Sequence, residues 1–229
     1  MKFISVFMLI LLSGCATQGK SGMQYTDGKQ EKVENEVTVD GSSSVLWDKL
    51  VGDLAKSFYV INNIDKESRI INVSFNSNSP TEFVDCGQTS RSYSEGENIE
   101  NYEYDVAGNS SFKVALKSTH PKFSLYSQVI RNSSLDGRAN IYLAPDTSNS
   151  KRTNVSVNAR YIVTSKVSQE IYSKHFMHTA YSHAKSVPSQ TYTYIFQTNR
   201  PSTTDAGGGV KVVCSSKGKL EREILDIVQ

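Results

Sequence analysis

Long hydrophobic runs are scarce in this chain. After residue 12 no apolar stretch approaches the ~20 residues that a membrane-spanning helix needs, which excludes a polytopic helical membrane protein. Charge of one sign is lacking too. The 25 Lys and Arg nearly balance the 23 Asp and Glu, for a formal charge of +2, so nothing points to a nucleic-acid or polyanion partner. Cysteine is limited to three residues, and no C-x-x-C pair occurs, which removes a thiol redox motif. There is no P-loop and no G-x-G-x-x-G; Gly207-Gly208-Gly209 after Asp205 reads as a loop tip. Gly108-Asn109-Ser110-Ser111-Phe112 lacks the second glycine of a nucleophile elbow. No cofactor is implied. What is present is an ordinary globular composition: 38% hydrophobic residues plus 14 glycines give an apolar fraction of roughly 44%. That excludes a collagen, a coiled coil and a wholly disordered chain.

The N-terminus is the most informative segment. Lys2 supplies a positive charge, Phe3–Leu12 is an apolar run of ten residues, and Ser13 and Gly14 precede Cys15. This pattern is a secretory signal over residues 1–14. Leu12-Ser13-Gly14-Cys15 resembles the lipobox of bacterial lipoproteins. The resemblance implies cleavage before Cys15, lipidation of its thiol and acylation of the new amino group. Two or three acyl chains, at about 0.8 kcal/mol per buried methylene, hold a protein on a membrane permanently. Ala16 after the cysteine implies, by the same resemblance, sorting to the outer membrane.

Residues 16–36 are polar, charged and Gly-containing, with Met23, Tyr25 and Val33 as the only larger apolar groups. Together with Cys15 they read as a lipidated, flexible tether over 15–36, with a mean span of roughly 25 Å. The globular body is expected over 37–229 as one domain, with two subdomains as an option.

Within that body Val37–Val39 suggests a strand before an Asp40-Gly41 turn. Leu46, Leu50, Leu54 and Phe58 recur every four residues, so a helix is expected over 44–57. Leu220, Ile224, Ile227 and Val228 give a second stripe and a helix over 219–228. Between them lie strand candidates at Phe58–Ile64, Ile70–Phe75, Glu82–Cys86, Ser111–Lys117, Lys122–Arg131, Arg138–Ala144, Thr153–Lys166, Gln190–Thr198 and Val210–Cys214. Leu135–Arg138 and Asn149–Arg152 read as turns. The fold class is α+β: one or more antiparallel sheets with two packed helices.

With Cys15 assigned to lipid, Cys86 and Cys214 remain as an even pair in an exported chain. A Cys86–Cys214 disulfide follows, the alternative being two buried thiols. Closing 128 steps stabilises by about 5 kcal/mol in the chain-entropy model, before strain.

Candidate chemistry is sparse. His175, His178 and His183 cluster in sequence. On a helix His175 and His178 share a face; on a strand His175, Met177 and His183 do. No carboxylate or cysteine lies near and the spacing fits no zinc motif, so these are weak metal candidates beside a polar surface reading. Glu95, Glu97, Glu100, Glu103 and Asp105 form an acidic stretch that reads as a solvated loop. Tyr192, Tyr194 and Phe196 share one strand face, and Tyr102 and Tyr104 another. Such ladders stabilise sheets, or line a ligand groove.

Val45-Leu46-Trp47-Asp48-Lys49-Leu50, then Phe58-Tyr59-Val60-Ile61, Asp65 and Ile70-Ile71-Asn72-Val73 resemble the opening of a helix-grip domain. They are similar to the domains of the C-component lipoprotein in the bacterial outer-membrane barrel-assembly machine. The resemblance implies a non-enzymatic scaffold that binds other envelope proteins, and it assigns no binding residue here. Three functions are therefore carried forward. The first is a lipid-anchored, non-catalytic interaction module of the outer membrane. The second is a lipid-anchored envelope hydrolase, which needs convergent carboxylates or Ser/His groups. The third is a periplasmic metal or small-ligand binder.

Overall fold

The computed structural model describes residues 18–149, 151–207 and 209–229. Cys15 and the signal segment lie outside them.

Two very long strands organise the molecule. β9 (Phe123–Pro145) and β10 (Arg152–His175) run antiparallel and stay paired from Thr153–Pro145 to His175–Phe123. Their alternation explains the pairing. Leu135, Ala139, Ile141 and Leu143 face the same side as Val155, Val157, Ala159, Tyr161 and Val163, and all are buried. A register slip by one residue would turn this whole row to solvent.

The other strands add to this ribbon in two halves. Near the β9–β10 turn, β2 (Glu36–Asp40) pairs with β10, β4 (Ile70–Ser77) pairs with β9, and β3 (Val60–Asp65) pairs with β4. Toward the far tip, β11 (Ser182–Gln197) pairs with β10 and β8 (Ser110–Leu116) with β9. Pro188 falls in a register shift of β11, where its missing N–H removes no ladder bond.

Both helices cover the apolar face of the near half. α1 (Ser43–Leu54) buries Leu46, Trp47, Leu50 and Leu54; α2 (Lys219–Val228) buries Leu220, Glu221, Ile224, Leu225 and Val228. These side chains join Ile71, Val73 and Phe75 of β4 in one core. α1 ends at Leu54, three residues before the expected 57. The backbone of Lys56 and Ser57 turns off the last carbonyls, and the Ser57 hydroxyl donates to the Leu54 carbonyl at 2.7 Å. No helix among the described residues is long and apolar enough to cross a membrane.

α2 brings a carboxyl group into this core. Glu221 is fully buried and accepts hydrogen bonds from the Tyr161 hydroxyl at 2.7 Å and the Thr198 hydroxyl at 2.6 Å. The Ser216 hydroxyl lies 3.3 Å from both carboxyl oxygens. Burial first, and then the adjacent Glu221 carboxylate, push the Tyr161 hydroxyl far above its ordinary range, so it remains a donor.

Two smaller sheets complete the fold. β6 (Gln88–Glu95) and β7 (Asn98–Asp105) form a hairpin, and β1 (Lys20–Thr26) adds to β6. β12 (Ser202–Asp205) pairs with β13 (Lys211–Ser216), which also pairs with the two-residue β5 (Val84–Asp85). Among the described residues the sheets are antiparallel and dominate, with two helices as the minority.

Several expectations need correction. Residues 20–26, read as part of a flexible tether, form β1, and Val33 is buried. Asn199 holds Val33 by its backbone: the Val33 N–H donates to Asn199 Oδ1 at 2.7 Å and Asn199 Nδ2 donates to the Val33 carbonyl at 2.9 Å. Val33 also packs on Gly218, whose positive φ of 70° begins α2. The reading failed because β1 carries one half-buried side chain facing the body, Tyr25, and so has no alternating pattern. Leu135–Arg138 is not a turn but the middle of β9. Gly137 is there because the Phe75 ring lies against its Cα, and a Cβ would collide with that ring. The acidic stretch is the β6–β7 hairpin, turned at Gly96 with φ 61°. Two of its five carboxylates pair with neighbours: Glu95 with Lys174 at 2.9 Å and Glu100 with Lys113.

Candidate functional site

The face of the ribbon that the helices cover continues past them toward the tip, and its chemistry changes there. Beyond Leu135 the inward positions of β9 are Ser133, Arg131 and Val129; beyond Val163 those of β10 are Ser165 and Val167. β8 brings Phe112 and Val114 alongside, and β11 brings Tyr194 and Tyr192. Phe112, Val129 and Val167 form a second, smaller apolar cluster. The sheet of β1, β6 and β7 lies over this region rather than a helix. A cavity of about 310 Å³ remains between this sheet and the ribbon.

Valines and aromatic rings line most of that cavity, and two arginines enter it. Arg131, from β9, is 8% exposed. Its Nη2 donates to the Val106 carbonyl at 2.8 Å, and its guanidinium lies 5.3 Å from the Tyr104 ring centre. Arg91, from β6, donates from Nε to the Tyr104 hydroxyl at 2.8 Å and sits 4.5 Å over the Phe112 ring. Tyr104 and Phe112 stack nearly parallel with centroids 5.1 Å apart. Each ring of the stacked pair thus has a guanidinium against it, a geometry in which aromatic faces stabilise charge. Tyr194, on the opposite wall, is raised in pKa by burial, with Arg131 pulling the other way. No Asp, Glu, His or Cys lines the cavity, and neither arginine forms an ion pair among the described residues. Met23, Ala206 and Gly207 stand at the rim.

The tyrosine ladders thus face one another across this space: Tyr192 and Tyr194 from β11, Tyr104 from β7. Arg131 was not singled out from the sequence, although a signal was present. It occupies an inward position of an alternating strand, between Val129 and Ser133, where a charge is out of pattern. Ending the expected strand at Arg131 hid this by placing it at a terminus.

The cysteine expectation is met: Cys86 and Cys214 form a disulfide that ties the end of β5 to β13. Tyr25 braces the same junction. Its hydroxyl donates to the Cys86 carbonyl at 3.1 Å and accepts from the Val213 N–H at 3.1 Å. Cys15 lies outside the described residues. The three histidines gather around the ribbon tip without forming one group. His175 ends β10, His178 follows in the turn with ring centres 5.8 Å apart, and His183 packs edge-on against Tyr172. Among the described residues no group of three or more His, Cys, Asp or Glu side chains is placed to hold a metal ion.

The other side of the ribbon is uncovered and polar. Asn72 donates to Asn140 at 2.6 Å, Asn35 to Asn158 at 3.2 Å, and Asn199 to Asn35 at 3.2 Å. Arg138, Arg160 and Arg200 lie among these amides. Amides that satisfy one another let most of an open sheet face meet water, with Ile130, Tyr142 and Ile195 exposed on the same side. Compared with known proteins, the chain matches no family model, no curated protein and no solved structure.

Proposed function

We propose that this protein is a non-catalytic binding module of the bacterial envelope, exported and held on the outer membrane by lipid on Cys15. The observation that carries the binding role is the lining of the cavity between the ribbon and the β1–β6–β7 sheet. Guanidinium groups, aromatic rings and aliphatic side chains converge there. Such a set holds a ligand by burial and charge, and it offers no carboxylate, imidazole or thiol for nucleophilic or proton-transfer chemistry. The hydrolase alternative, by contrast, draws no support from this lining.

The location rests on Lys2, the apolar run Phe3–Leu12 and Leu12-Ser13-Gly14-Cys15. The Cys86–Cys214 disulfide supports it, because such bonds persist in oxidising compartments outside the cytosol. Two helices on one face of an antiparallel sheet support a helix-grip-like body. Other envelope proteins are the expected macromolecular partners.

Metabolic labelling with an alkyne-bearing fatty acid, followed by mass spectrometry of the mature N-terminus, tests the anchor. Label on a chain beginning at Cys15, lost in Cys15→Ser, is expected. An unmodified thiol at Cys15, or a mature chain beginning elsewhere, refutes the anchor. Crosslinking in intact cells tests the partners: recovery of one envelope protein with the wild type is expected, and recovery of none under several conditions counts against a partner.

A further inference from the structure

We infer that the cavity takes a small organic anion: an apolar body carrying one carboxylate, seated with its head beside Arg131 and with Arg91 adding positive charge to the same cavity. The inference rests on the binding-module reading above and gives that site a ligand class. Charge complementarity is the first argument. Arg131 is more than nine-tenths buried and permanently charged, and among the described residues its partners are a neutral carbonyl and a ring face. A buried cation without an anionic partner is costly, so a carboxylate entering beside it is strongly favoured over a neutral or cationic head. The guanidinium fork suits a carboxylate because both present two parallel sites.

Shape and lining supply the second argument. Val114, Val129 and Val167 make an aliphatic floor, and Tyr192 and Tyr194 a wall, for the apolar body. The volume of about 310 Å³ is at the small end of ligand cavities. That suits a single short chain or one ring system and is too small for a two-chain lipid. Met23, Ala206 and Gly207 at the rim give a route of entry that leaves both helices in place.

The test uses the full-length protein in phosphatidylcholine nanodiscs, with empty nanodiscs as the blank. Octanoate labelled with carbon-13 at its carboxyl is titrated in and followed by NMR. Octanol and octylammonium are competed against it. Saturable octanoate binding is expected, weakened by roughly tenfold or more in Arg131→Met, with neither competitor displacing it at equal concentration. Arg91→Met is the second variant, and because Arg91 is less buried it leaves the packing around β9 intact; it too should weaken octanoate severalfold. Octanol displacing octanoate as well as octanoate itself does, or unchanged affinity in both variants, overturns the inference. So does no binding to a protein whose native fold is confirmed by circular dichroism. That last result leaves the anchored module standing, whereas chemical conversion of bound octanoate would overturn the non-catalytic reading and leave the site in place.

Discussion

Replacing Glu221 with leucine is expected to destabilise the protein by about 3 kcal/mol, although leucine is the better residue for an apolar core. The two outcomes compete for a definite reason. Exchanging a buried charged group for a well-packed apolar one is often neutral or stabilising. Here, however, the partners stay behind. The Tyr161 and Thr198 hydroxyls both donate to the Glu221 carboxyl inside the core. Each buried donor left unpaired costs about 1–3 kcal/mol. Tyr161 keeps the Ser216 hydroxyl at 3.1 Å, and Thr198 can fall back on the Ala159 carbonyl at 3.4 Å, which places each loss in the lower half of that range. The sum is about 3 kcal/mol, or roughly 6–12 °C in Tm for a chain of this size. Glu221→Gln keeps the shape and one acceptor and should lose about 1 kcal/mol. Denaturant unfolding of Glu221→Leu, Tyr161→Phe and the pair completes the test. In the leucine background Tyr161→Phe removes a hydroxyl left with Ser216 alone and should destabilise less than in the wild type, giving a coupling of at least ~1 kcal/mol. Glu221→Leu as stable as the wild type, or a strictly additive cycle, would refute the argument.

Gly137→Ala should cost about 1–3 kcal/mol by driving a methyl group into the Phe75 ring, and in a Phe75→Leu background the extra cost should largely vanish; equal costs in both backgrounds would show that the ring is not the obstacle. Asn199→Gly, which keeps the φ of 55°, should remove the clamp on Val33 at about 1–2 kcal/mol and raise amide hydrogen exchange through residues 20–35, a result that unchanged exchange would contradict. Burial of Glu95 favours its neutral form, but hydrogen bonds from Lys174, Tyr181 and Ser124 outweigh this and hold its pKa below the ordinary 4.5. Its ionised form therefore stabilises the fold above pH 4.5, and that contribution is lost as pH falls through the lowered folded value. The stability gap between wild type and Glu95→Gln should accordingly be full at pH 6 and shrink toward pH 3; a gap that does not depend on pH would refute this.

The sequence was legible where burial imposes a period. Val155 to Val163 alternate cleanly, and both helical stripes match elements that lie on the core. It was illegible where strands bury few side chains. β1 and β6 are held largely by backbone ladders and hairpin geometry, which leave no hydrophobic rhythm, and β7 showed only its Tyr102 and Tyr104 pair. β9 was split in two because Asp136-Gly137 imitates a turn, while the actual need for glycine comes from Phe75, 62 positions earlier in the chain. The cavity was half legible. Both tyrosine ladders were visible, but their convergence depends on the β6–β7 hairpin folding over the ribbon, a tertiary event that spacing does not encode.

Strand β1 also changes the length of the mooring. A lipid on Cys15 would be separated from Lys20, the first residue of β1, by five residue steps, at most ~18 Å of fully extended chain. The protein would then ride against the bilayer instead of ranging on a slack line. Met23, at the cavity rim, follows Lys20 by three residues in the same strand, so the entrance would open beside the headgroups. A guest that partitions into membrane could pass between bilayer and protein with little journey through water.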